Sequence, residues 1–217
     1  MSRKRAIFDF DDTIVNTDSF FKLIRHFLDS SWLRKAAAIL LAPLALVLLQ
    51  FKSTQGLGVS IPLWIGTAFR PRRKILQMAR QFTNDFEAQR HGRLFNQGID
   101  EMRKLDAEGY EICVVTAAPR LISREVLKSR GIYPRIFGSR FKFLGSGLFQ
   151  YSRCYGSVKL ETLAEYGIHQ AQVGYTDSRS DFPLLSICER KILVNADERL
   201  RALAFKRFSD IEFNRWT

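Results

Sequence analysis

The chain has 217 residues, 46% of them hydrophobic and 26% charged, which excludes a disordered polypeptide and fits one globular unit with room for an inserted subdomain. Its 34 basic residues outnumber 22 acidic ones, for a net charge of +12, so an anionic partner is expected: nucleic acid, a lipid surface or a phosphorylated substrate. Three scattered cysteines without a CxxC, Cys113, Cys154 and Cys188, give no disulfide framework and suit a reduced cytosolic compartment, with Cys113 and Cys188 as core thiols.

The basic start, SRKR at 2–5, runs straight into AIFDFDDTIV at 6–15 and leaves no room for a secretory apolar region or cleavage site. Residues 5–10 read as a strand. Asp9, Asp11 and Asp12 crowd its end, and a threonine closes the group. Strand interiors disfavour carboxylates, so these acids form either a polar turn or a site.

From 18 to 93 only helical patterns are legible. Phe20, Phe21, Ile24, Phe27 and Leu28 form one apolar face, and Ile75, Ala79, Phe82 and Phe86 form another after Pro71 near a helix start. An all-helical cap, 18–93, is therefore expected to interrupt a core made of 1–17 and 94–217. Within the cap, 36–51 carries no charge over 16 residues, short of the ~20 needed to span a bilayer, and Pro43 interrupts it. A second apolar stretch, 56–69, follows Lys52. These form either a buried cap hairpin or one embedded in a single leaflet. In the second case Trp32 and Trp64 are interface anchors, and RK at 34–35 and RPRRK at 70–74 meet anionic headgroups. Two such stretches exceed what a small cap can bury, which favours membrane association.

Beyond the cap, apolar runs at 111–116, 135–141, 172–177 and 191–195 read as strands. Helical patterns between them include a crossover at 96–108 and segments ending at Gly109, Gly131 and Gly167. This alternation predicts an α/β fold with a Rossmann-like parallel sheet. Residues 141–153, two short apolar arms around Gly-Ser-Gly, read as a β-hairpin on the sheet edge.

The sheet model collects the polar residues. Open parallel sheets bind ligands at the carboxyl ends of their strands. Asp9 and Asp11 end the first strand, Thr116 ends VVTAAPR, and Asp177 follows a strand with Asp181 four residues on. Lys159 falls one turn into a helix beginning near Ser157. Two close carboxylates call for a divalent cation, and Mg²⁺ accepts a few carboxylates plus water and phosphate. Acids, a hydroxyl, a lysine and backbone donors together fit phosphoryl transfer through a carboxylate nucleophile. His26, His91 and His169 are isolated and read as surface or cap residues. Arg120 serves equally well as a substrate contact or a solvated helix start.

DFDDT, VVT, the lysine of YGSVKLETL, and YTDSRSD resemble the four motifs of the haloacid dehalogenase-like phosphatases, over Ile7 to about Ala204. A helical insert after the first motif is similar to the cap of the phosphoserine-phosphatase-type subgroup, subfamily IB. CYGSVK, YTDSRSDFPLL and PLWIGTAF are similar to a bacterial phospholipid-phosphatase branch. The resemblance implies that Asp9 is the nucleophile and that Asp11 is the acid and then the base. It places Mg²⁺ on Asp9, the Asp11 carbonyl and Asp177, with Asp181 in the outer shell. Thr116, the Ala117 amide and Lys159 then bind the phosphoryl group. Asp12 stands where many members have glycine; aspartate tolerates turn conformations, so the loop is expected to survive.

The expected function is a Mg²⁺-dependent phosphomonoesterase acting on a phospholipid headgroup, phosphatidylglycerophosphate, at the inner face of the cell membrane. The alternative is a soluble phosphatase for a small metabolite such as phosphoserine. A nucleic-acid phosphatase or binding module ranks behind both, since no recognition motif interleaves aromatics with basic residues.

Overall fold

The computed structural model describes residues 3–51, 53–87 and 92–217; Ser2, Lys52 and His91, used above, lie outside the described residues. The strands are β1 (Arg5–Phe8), β2 (Glu111–Pro119), β3 (Arg135–Leu144), β4 (Gly147–Ser152), β5 (Ala171–Thr176), β6 (Cys188–Val194) and β7 (Ile211–Asn214). They form one sheet in the order β4-β3-β2-β1-β5-β6-β7, parallel throughout except for the β3–β4 hairpin. The α/β class and edge hairpin read from the sequence are present.

β1 lies at the centre because it is apolar on both faces. Ala6 and Phe8 join the larger core cluster, whereas Ile7 joins a second cluster with Cys113, Val115 and Leu163. A strand buried on both faces reads as a continuous apolar run rather than an alternation. The chain leaves β1 to form β2 on one side and later returns to form β5 on the other. The carboxyl end of β1 is thus a topological switch point, where ligands bind in such sheets.

Helices α1 (Ser19–Asp29), α2 (Trp32–Gln50), α3 (Gln55–Thr67) and α4 (Arg72–Glu87) follow β1, and α5 (Asn96–Ala107) leads into β2. The Asp18 carboxylate accepts from the Phe21 amide at 2.7 Å and caps α1, a contact worth about 1 kcal/mol. The remaining helices are α6 (Arg120–Lys128), α7 (Ser157–Ala164), the short α8 (Phe182–Leu185) and α9 (Glu198–Phe205). α9 and β7 were not expected from the sequence. β7 has only four residues, too few for an alternation to stand out.

Two expectations for the cap need correction. The helix is not interrupted at Pro43: α2 continues through it, although a proline in that place cannot donate to the Ile39 carbonyl. Trp64 is not an interface anchor. Its indole donates to the Leu144 carbonyl at 2.9 Å, which pins α3 to the hairpin. Beside it, the Ser60 and Thr67 hydroxyls accept from the Gln150 and Leu148 amides at 3.0 and 2.8 Å. The 56–69 stretch is therefore packed, between β4 and α2. A Cβ at Gly58 would lie 2.8 Å from the Ala45 carbonyl oxygen, so glycine is what lets α2 and α3 approach.

α2 itself is left uncovered. Only Ala45 is buried along it, while Trp32, Ile39 and Leu40 are 74%, 73% and 80% exposed. By length and composition it is apolar enough to cross a membrane, with a mean hydropathy of 1.9. Some of the expected headgroup cations are engaged elsewhere. Arg34 donates to the Ile65 and Ala68 carbonyls, Arg70 to Ser30, and Lys35 pairs with Asp29 at 3.0 Å.

Candidate active site

The β1 backbone delivers Asp9 directly into the switch point. Its amide donates to the Tyr175 carbonyl of β5 at 2.9 Å, and Phe8 stacks on the Tyr175 ring at 4.4 Å. Asp9 is 7% exposed. Its Oδ1 accepts from the Phe10 amide at 2.7 Å and pairs with Lys159 Nζ at 2.8 Å. Lys159, in the first turn of α7, also donates to Asp181 Oδ2 at 2.6 Å. One buried ammonium thus bridges two buried carboxylates contributed by distant parts of the chain.

The other acids have distinct partners. Asp11 accepts from the Ser19 amide at the start of α1, 2.9 Å away. Asp177, just past β5, accepts from the Thr13 hydroxyl at 2.9 Å. Asp181 also accepts from the Thr176 hydroxyl at 2.9 Å. Asp12 has φ +54°, the left-handed conformation that glycine adopts freely and aspartate tolerates. Its side chain is exposed, so its place in the motif is a turn position.

β2 is irregular where phosphate binding was expected. Thr116 pairs with Gly138 and Pro119 with Ser139, so Ala117 and Ala118 are looped out of the ladder. Bulges next to active sites re-aim backbone groups. The Thr116 hydroxyl accepts from the Ala118 amide at 3.0 Å, and the Ala117 carbonyl accepts from the Ser139 hydroxyl at 2.6 Å. A Cβ at Gly138 would lie 2.8 Å from the Ala118 carbonyl oxygen. Gly138→Ala is therefore expected to lower stability by about 1–3 kcal/mol, read as a lower urea midpoint; an unchanged midpoint would mean that the bulge does not need this close approach.

Electrostatics follow from burial. Burial pushes the Asp9 carboxyl well above its ordinary range despite Lys159, with Asp181 and Asp177 adding to the rise. It raises Asp11 to about 7 against the Ser19 hydrogen bonds, and Asp177 to about 6 against the Thr13 bond. Burial alone would lower the Lys159 ammonium, but Asp9 and Asp181 hold it above the usual lysine value. Two carboxylates meet the one ammonium and Asp177 adds a further negative charge nearby, an excess that a divalent cation relieves. Among the described residues no three acid, thiol or imidazole side chains form a complete metal cage. The donors present are carboxylate and carbonyl oxygens, the kind Mg²⁺ takes alongside water and phosphate.

The structure brings Asp9, Lys159 and Asp181 into direct contact, and Asp177 close enough to act on Asp9 electrostatically. Arg120 starts α6 and lies 3.5 Å from the Tyr166 hydroxyl. His26 sits against Phe27 and Phe82 in the cap. Thr13, Thr176 and Gly138 were missed as site residues. The two threonines had a signal: each stands beside an acid at a strand end.

A sequence profile for haloacid dehalogenase-like hydrolases matches residues 6–186, whereas a search of curated proteins by sequence finds no match. Among solved structures, a protein of unknown function from Bordetella pertussis Tohama I superposes with TM-score 0.75 at 18% identity, covering 98% of this chain and 99% of that one. A phosphoserine phosphatase captured as a phospho-aspartyl intermediate analogue gives TM-score 0.60 at 17% identity, over 99% and 94%. A cytosolic 5'-nucleotidase IIIB bound to cytidine gives 0.64 at 18%, over 99% and 81%. At these identities the structural likeness speaks to fold. With the profile spanning most of the chain, from β1 through α8, the protein belongs to the haloacid dehalogenase-like hydrolases.

Proposed function

We propose that the protein is a Mg²⁺-dependent phosphomonoesterase that forms an aspartyl-phosphate on Asp9 and acts on phosphatidylglycerophosphate at a membrane surface. The chemistry is supported by the pairing of Asp9 with Lys159. The Phe10 amide and Lys159 Nζ both meet Oδ1 of Asp9, an arrangement that leaves Oδ2 as the attacking atom. Oδ2 attacks phosphorus, the bond from phosphorus to the leaving oxygen breaks, and Asp11 gives that oxygen a proton. Water then attacks the aspartyl-phosphate, Asp11 takes its proton, and inorganic phosphate leaves. An acid near pKa 7 suits both halves of that cycle. Thr116, the Ala117 amide and Lys159 hold the phosphoryl oxygens, while Asp181 and Thr176 keep Lys159 in place. The side chains of Asp9 and Asp177 and the carbonyl of Asp11 would hold Mg²⁺, which supplies the charge neutralisation that lets an anion attack an anion.

The lipid substrate is supported by one observation, the uncovered apolar face of α2. An apolar surface of that extent on a soluble protein marks an interaction site. On this reading α2, packed along α3, embeds in one leaflet and the protein is peripheral at the inner face of the cell membrane. A phosphate-release screen with Mg²⁺ tests the assignment. Phosphatidylglycerophosphate in mixed micelles is expected to exceed phosphatidic acid and soluble monoesters in kcat/KM. Faster turnover of phosphoserine or another soluble monoester would replace the lipid reading with that of a metabolite phosphatase.

A further inference from the structure

A cleft of about 180 Å³ runs between the cap helices and the sheet, and its walls are apolar throughout. Phe20, Leu63 and Ala79 line the cap side, and Pro119, Phe141 and Leu148 the core side. Two of its wall residues adjoin, along the chain, segments that carry site residues. Phe20 follows Ser19, whose amide holds Asp11, and Pro119 closes the bulge that begins at Thr116. The cleft shares Leu76, Phe141 and Leu148 with an outer groove of about 550 Å³ flanked by Arg72 and Lys142.

The mouth has a defined side. Arg72 lies over the Phe143 ring at 4.7 Å. Next to it, the Phe69 amide donates to the Ser146 carbonyl of the hairpin turn at 3.0 Å. Phe69 and Leu144 there are 84% and 52% exposed. The first turn of α2 is tied to the same place, because Arg34 donates to the Ile65 and Ala68 carbonyls. The groove thus opens where exposed aromatic and aliphatic side chains, cations and the uncovered helix meet.

We propose that this cleft is a hydrocarbon-chain subsite, which takes a segment of an acyl chain of an anionic lipid entering past Arg72 and Lys142 while the phosphate group is presented to Asp9. The inference rests on the phospholipid reading and adds to it the place where the lipid's apolar part is held. The walls of the cleft offer no polar group to hold water, and displacing water from apolar walls favours a hydrocarbon occupant. The cations at its mouth match the charge of an anionic lipid surface and leave the interior to the chain.

The test uses n-alkylphosphonates from ethyl to octyl, whose carbon–phosphorus bond the enzyme does not cleave, bound to the Mg²⁺-loaded protein in a calorimeter. Kd is expected to fall by about fourfold per added methylene until the cleft is full. Ala79→Leu fills the cleft and is expected to abolish that dependence while leaving the affinity for ethylphosphonate unchanged. Leu148→Trp, at a half-buried position nearer the mouth, serves the same purpose should Ala79→Leu fail to fold. A wild-type Kd that ignores chain length overturns the proposal. So does an equal slope in the filled variant, which would place the chain on the outside of α2. Turnover of phosphatidylglycerophosphate without any chain-length dependence would remove the subsite and leave the lipid reading standing; chain-length dependence without lipid turnover would do the reverse.

Discussion

Asp9→Asn is expected to lower kcat by at least about 10⁴-fold, the scale seen when a nucleophile acting within a catalytic unit is removed, with the fold intact. The amide has the same shape but no anionic oxygen with which to form an acyl phosphate. The structural partners survive. Oδ1 of the asparagine still accepts from the Phe10 amide, and Lys159 keeps Asp181, 2.6 Å away. Removing a carboxylate whose burial already pushes it towards protonation relieves desolvation and offsets the loss of one ion pair. The melting temperature should therefore change by only a few degrees. Rapid-quench detection of phosphorylated protein should show the intermediate in the wild type and none in the variant. Mg²⁺-dependent turnover retained in Asp9→Asn would eliminate the aspartyl-phosphate mechanism.

The acids at the ends of β1 and β5 were legible in the sequence because each stands at the end of an apolar run. Their number and spacing made sense only once a parallel sheet brought 9, 116, 159 and 177 to one edge. What supports them was much harder to read. The hydroxyls of Thr13 and Thr176 reach acids 164 and 5 residues away, and a place beside an acid at a strand end does not say which acid each one reaches. The bulge at Ala117 and Ala118 depends on Gly138, a residue of the neighbouring strand, so no local pattern announces it. The cap was legible as helical from its apolar faces, yet the fate of its two apolar stretches was not. They look alike in composition, but small and hydroxylic residues, Gly58, Ser60 and Thr67, let α3 pack on the hairpin and on α2. α2 has no such face towards the core. Burial was decided by which stretch could approach a backbone, and hydrophobicity does not encode that.

That difference gives the second large prediction. Leu40, Leu44 and Val47 lie on one stripe of α2 at helical spacing and are 80%, 53% and 52% exposed. Changing all three to glutamine is expected to weaken partitioning onto phosphatidylglycerol vesicles by at least about 100-fold, since each buried aliphatic side chain contributes roughly 1.5–3 kcal/mol. The fold should be retained, because exposed substitutions of this kind shift stability by only about 0.5 kcal/mol each. Turnover of a soluble monoester should stay near the wild-type rate, for these residues touch neither Asp9 nor its partners. Salt separates the two contributions to binding. Raising ionic strength screens Arg72 and its basic neighbours against anionic headgroups but leaves apolar insertion in place. Wild-type protein should therefore stay partly bound at high salt, whereas the triple variant should be released. Equal flotation of both proteins at moderate salt would exclude α2 as the membrane contact and, with it, the observation on which the lipid substrate rests.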